Sequence, residues 1–141
     1  MKTMTRLFLA LLVLLALAAC STQDTDDEGA QRLVEQFLQS VHEGDYDKAF
    51  SLASPEFFNV RSEKEWRAYF DNIQTKLGKL EKLKLKQKLS DVRLSGHFYI
   101  YQFANKYEKG LAKEMVTIVQ KVDANDPLGI SSYRIDSSKL Q

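Results

Sequence analysis

The sequence predicts an α+β domain, with N-terminal helices packed on a curved four-stranded antiparallel sheet. Three observations predict it. Apolar residues recur at offsets of three and four from Ala30 to Leu77, the period drops to two after Gly78, and glycine-containing turn signals separate the later segments. Helices that precede a run of strands must cover one face of the sheet those strands form.

Ala30, Leu33, Val34, Phe37, Leu38 and Val41 form one stripe of an amphipathic helix that stops near Gly44. Asp45 is placed to cap a short second helix carrying Tyr46, Ala49, Phe50 and Ala53. Ser54-Pro55 has the cap-then-proline form of a further helical turn, which holds Phe57 and Phe58. Ser62 with Glu65 three residues later matches a capping box, and Trp66, Tyr69, Phe70, Ile73 and Leu77 follow at helical spacing up to Gly78.

Beyond Gly78, Leu83, Leu85 and Leu89 alternate with Lys82, Lys84, Lys86 and Lys88, as a strand with one wet face requires. Val92 and Leu94 have the opposite parity, so a β-bulge near Ser90 or Asp91 is expected to restore their inward direction. Gly96 and Gly110 bracket a second strand, His97 to Glu108. Leu111 to Val122 forms a third and Ile130 to Ile135 a fourth, with Asn125, Asp126, Pro127 and Gly129 marking the last turn. A domain of this size buries about 60 to 70% of its unfolded surface, enough to fold without a disulfide or a metal.

The N-terminus reads as an address. Lys2 and Arg6 precede fourteen residues, Leu7 to Cys20, that carry no charge. As a helix this run would be about 21 Å long, short of the ~30 Å hydrocarbon core. A basic start, an apolar middle and small residues at the end are the features of a secretory signal peptide. Its end, Leu17-Ala18-Ala19-Cys20, resembles the lipobox of bacterial lipoproteins and holds the single Cys of the chain. The resemblance implies cleavage between Ala19 and Cys20 and acylation of the Cys20 thiol. One acyl chain binds a membrane only marginally, whereas two or more hold firmly. Ser21, where an Asp would imply retention at the inner membrane, implies an outer-membrane anchor facing the periplasm. In a cell with one membrane, the domain would lie on its outer side. The expected organisation is a signal peptide at 1–19, a lipidated Cys and acidic tether at 20–29, the folded domain at 30–136 and a tail at 137–141.

After residue 19 the chain carries 18 basic and 19 acidic side chains. That balance argues against a nucleic-acid partner, which would need a basic excess on one surface. One Cys excludes an internal disulfide framework and any Cys-based zinc site. Neither His42 nor His97 lies in a metal-ligand spacing, so no metal or other cofactor is expected.

The run AQRLVEQFLQSVHEGDYDKAFSLASPEFF, the Trp66 helix, Leu77-Gly78-Lys79-Leu80, the tyrosine-rich strands and the closing SSYRI carry a resemblance to a family. Residues 30–136 resemble small bacterial secreted domains of the nuclear-transport-factor-2-like superfamily. This implies a cone made by a curved sheet wrapped against helices. Many relatives open the last strand with a Trp, where this chain has Leu128-Gly129-Ile130. The superfamily includes isomerases, hydrolases, binding modules and assembly proteins, and its members often pair through their sheets, so a homodimer is one expectation.

The candidate chemical residues are Glu114, Tyr99, Tyr101 and Tyr133. A curved sheet can point alternate strand residues into one cavity, where a Glu serves as acid or base and a Tyr stabilises an oxyanion. Lys82, Lys84, Lys86 and Lys88 would form a ladder on one sheet face, able to touch anionic lipid or an acidic partner. The sequence therefore leads to a lipid-anchored envelope protein with a non-catalytic module for a small ligand or an envelope protein partner. The alternative is an acid–base enzyme, of isomerase or hydrolase type, using the Glu and Tyr set.

Overall fold

The computed structural model describes residues 24–121 and 127–141. The signal peptide, the lipobox with Cys20 and the turn residues Asn125 and Asp126 lie outside them. Helix α1 spans Asp24–Glu43, α2 Tyr46–Ser51 and α3 Glu63–Leu77, with a 3₁₀ turn at Pro55–Asn59. Five strands follow: β1 Leu80–Lys82, β2 Leu85–Arg93, β3 Gly96–Tyr107, β4 Gly110–Gln120 and β5 Gly129–Asp136. All neighbours are antiparallel; β3, β4 and β5 run side by side, and β1 and β2 share the remaining edge of β3.

The helix signals act as read. Asp45 accepts from the Lys48 N–H at 3.2 Å, and Ser62 and Glu65 form both halves of the capping box. Gly44 and Gly78 end α1 and α3 at φ +79° and +74°, a region that costs glycine nothing. At Ser54 the side chain does not cap the 3₁₀ turn; its hydroxyl donates to the Ile130 carbonyl of β5 at 3.3 Å. Helix α1 begins at Asp24, so residues 24–29 of the segment read as a tether belong to a helix.

The helices cover one sheet face. Trp66 stacks on Phe57 at 4.4 Å and its indole N–H donates to the Phe57 carbonyl at 3.1 Å. Phe37 and Phe70 meet Tyr133 of β5 at ring separations of 6.0 and 5.4 Å. Trp66, Phe37, Phe57 and Phe70 are fully buried, and each such Phe contributes about 1.5 to 3 kcal/mol by leaving water. Aromatic rings thus fill the space between the helices and the sheet along this stretch.

Three expectations for the first strand are corrected. It is two strands, because the Asn105 side chain takes the Lys84 N–H at 3.0 Å and interrupts the ladder between β1 and β2. The register shift falls between Leu85 and Gln87, whereas Ser90 and Asp91 pair without a break opposite Tyr99 and Phe98. That earlier shift sends Leu85 to the helix side with Phe103 and Leu89 to the outer side with Ile100. The strand therefore has no buried row. Val92 and Leu94, expected inside, are 74% and 102% exposed.

Candidate functional site

On β4 the alternation Ala112, Glu114, Val116, Ile118 faces the helices, and this places a carboxylate in the core, 1% exposed. Burying such a group is costly unless its oxygens are satisfied. Asn105 Nδ2 donates to Oε1 at 2.8 Å, the Tyr107 hydroxyl donates to the same oxygen in a short bond, and the Tyr133 hydroxyl donates to Oε2 at 2.9 Å. Asn105 is itself pinned by the Lys84 N–H.

His42, in the last turn of α1, completes the cluster. Its Nε2 lies 3.7 Å from Glu114 Oε2 and 3.3 Å from the Tyr107 oxygen. The single Tyr107 proton is committed to Glu114, so His42 is the donor in the pair with Tyr107. Burial lowers the His42 pKa below its ordinary 6.5, and the Glu114 charge opposes this more weakly. Burial also raises the Tyr107 and Tyr133 phenols, as do the Glu114 charge and the bonds to it, so both stay protonated donors.

Beyond His42 the surface opens into a cleft of about 720 Å³ between α1, α3 and β1, with Gln39, His42, Gln74, Lys79, Leu80 and Leu83 in its wall. Glu114 is sealed from this cleft by His42 and Tyr107. The arrangement has one wet member, the imidazole edge, and one dry carboxylate behind it.

Of the four candidates, Glu114 and Tyr133 meet. Tyr99 instead pairs its hydroxyl with His97 Nδ1 at 3.1 Å, and His97 Nε2 lies 2.6 Å from Ser90 Oγ, near the opposite end of β3. Tyr101 is fully buried opposite Val116, with Lys88 Nζ 5.9 Å from its ring. The lysines form no single ladder, because the shift at Leu85/Gln87 separates them. Lys86 lines a shallow groove of about 380 Å³ on the outer sheet face with Gln102, Met115 and Arg134, while Lys88 reaches over Tyr101 on the helix side.

Sequence reasoning missed His42, Asn105 and Tyr107. A signal for two of them was present, since Asn105 and Tyr107 share the parity of Tyr99, Tyr101 and Phe103. An amide within an otherwise aromatic buried row needs a polar partner. Among the described residues, no group of three or more His, Cys, Asp or Glu is arranged to hold a metal ion.

Among solved structures, the fold is similar to Bd1075 of Bdellovibrio bacteriovorus, with 15% identity and a TM-score of 0.54 over 82% of this chain. The match covers 44% of that protein, so the chain spans less than half of its length. It is also similar to a candidate dehydratase of the NTF2-like family from Streptomyces avermitilis, with 13% identity and a TM-score of 0.55. That match covers 81% of this chain and 96% of the other. At these identities the likeness carries the fold alone, which is NTF2-like. No curated protein matches the chain. Residues 33–126, about two thirds of its length, match a family defined by sequence. The chain therefore belongs to the family described as "Protein of unknown function (DUF4019)" and carries it on an NTF2-like fold.

Proposed function

We propose that the chain is an envelope lipoprotein, held at the outer membrane by acyl chains on Cys20, whose domain binds a small ligand or a segment of an envelope protein without transforming it. An NTF2-like fold fits a small-ligand binding module or an enzyme. The observation that favours binding is the closed shell around Glu114. A general acid or base must come within hydrogen-bond reach of its substrate, and here all donors to the carboxylate come from Asn105, Tyr107 and Tyr133. The cleft beyond His42, walled by Glu35, Glu43 and Lys79 as well as by amide and leucine side chains, is open to a guest.

The test uses the full chain, extracted in mild detergent and examined by native mass spectrometry and by pull-down from the envelope fraction. A retained small molecule or co-purifying envelope protein, lost in Leu83→Asp, is the expected result. Neither ligand nor partner would contradict the reading.

The rival, an acid–base enzyme, has one observation in its favour. His42 has a lowered pKa and stands between the cleft and Glu114, as a general base would. Under that reading Glu114→Gln abolishes turnover while leaving stability intact.

A further inference from the structure

The two ends of the sheet differ, and α1 runs from one to the other. At its C-terminal end His42 meets Tyr107, beside the turn between β3 and β4. At its N-terminal end a Cβ on Gly29 would lie 3.7 Å from Leu128, next to the start of β5. Pairing then leads across the sheet at that same end: Gly129 opposite Val119, Val119 opposite Phe98, and Gly96 opposite Arg93. The turn joining β2 and β3, residues 94 and 95, thus lies at the end where α1 begins. Three inter-strand spacings separate β5 from β2, about 15 Å.

That turn is apolar where it is most exposed. Leu94 and Val92, at 102% and 74%, are the most exposed large hydrophobic side chains among the described residues. Arg93 between them is drawn back along the strand, with its Nε 2.7 Å from Asp91 and its guanidinium over the Phe98 ring at 5.2 Å. The tip therefore presents two aliphatic side chains on either side of Arg93, which is paired with Asp91 and keeps 63% of its side chain exposed.

The chain outside the described residues indicates what covers them. Four residue steps separate Cys20 from Asp24, a span of at most about 14 Å when extended. We infer that Leu94 and Val92 enter the lipid surface to which Cys20 is joined, so that the domain stands on the membrane by this tip. The inference rests on the lipid-anchor reading above. It directs the His42 cleft away from the bilayer. Lys82, which pairs with Lys106 near the opposite end, is twelve residues along the chain from Leu94. It lies beyond the roughly 8 to 10 Å over which a membrane charge is felt in salt.

The experiment uses the full mature lipoprotein reconstituted into vesicles of phosphatidylethanolamine and phosphatidylglycerol. An environment-sensitive fluorophore is attached in Leu94→Cys and, separately, in Lys109→Cys at the opposite turn. Acylation of Cys20 leaves the introduced thiol as the only reactive one. Blue-shifted emission and quenching by lipid-borne nitroxide at position 94, with neither at 109, is expected. A label at 94 that reports water, in protein that carries palmitate, overturns the inference alone. A label shielded from aqueous quencher but untouched by lipid nitroxide means that protein covers the tip, and also overturns it. Protein that takes up no palmitate overturns the anchor and this inference together.

Discussion

Tyr133 of β5 donates its hydroxyl to Glu114 of β4 at 2.9 Å, although the register partner of Tyr133 is Val116. The bond runs diagonally, and it holds one oxygen of a carboxylate that has no exposed surface. Removing the donor leaves a buried acceptor short of a partner. Tyr133→Phe is expected to lower stability by about 1.5 to 3 kcal/mol, the range for hydrogen bonds to charged groups. Glu114→Gln is expected to cost at least as much, because the amide presents two hydrogens to a pocket built of donors. Urea unfolding measures both. A Glu114→Gln protein as stable as wild type would show that the cluster is not a structural element.

His42 ties stability to pH. Its folded pKa lies below the ordinary 6.5, so the unfolded chain takes up the proton first as pH falls. Between 6.5 and the lower folded value the unfolded state binds more protons, and stability declines toward acid by at most about 1.4 kcal/mol per pH unit. Above 6.5 the residue contributes no slope. His42→Gln should flatten this part of the profile. Thermal unfolding from pH 5 to 8 checks it, and identical slopes in both proteins would contradict the assignment.

Two glycines should respond differently to alanine. At Gly44 the φ of +79° is unfavourable for a side chain, but a Cβ would meet nothing closer than the Gln74 amide at 3.9 Å. At Gly96 the backbone is equally unusual, and a Cβ would lie 2.5 Å from the Gln120 carbonyl oxygen of β4. Gly44→Ala should cost about 1 kcal/mol, and Gly96→Ala clearly more, since β3 and β4 must separate. Equal midpoints in urea would contradict the close approach of these strands.

The helices were legible because each of their signals is local. Ser62 and Glu65 are three residues apart, and the spacing from Trp66 to Leu77 repeats within one element. The sheet was legible in its antiparallel direction and in its last three strands, but the expected first strand is two, β1 and β2, and its buried row was misread. Lysine and leucine alternation gives a strand with one buried face only if something covers that face. Leu85 and Leu89 stay 37% and 41% exposed, and Asn105, a residue 21 positions after Lys84, decides where the strand breaks. The site was half legible for the same reason. Glu114 and Tyr133 could be named from their strands, but His42 joins them only when α1 is laid across β3.

Trp66 tests the packing that fixes α3. Its ring stacks on Phe57 and Phe70, its N–H holds the Phe57 carbonyl, and Arg61 lies 4.8 Å above it. Trp66→Phe keeps a ring but strands that carbonyl, and should lower stability by about 1 to 3 kcal/mol. Trp66→Ala should cost about 3 to 5 kcal/mol. The order of the two unfolding midpoints is the check, and a Phe variant as unstable as Ala would contradict the separate part played by the stack.

The whole placement of the domain depends on Cys20. Growth with radiolabelled palmitate, followed by membrane fractionation, measures it directly in wild type and in Cys20→Ser. Label and membrane residence are expected in the wild type and neither in the variant. An unlabelled wild type, or a variant that fractionates with the membrane as before, would contradict that placement.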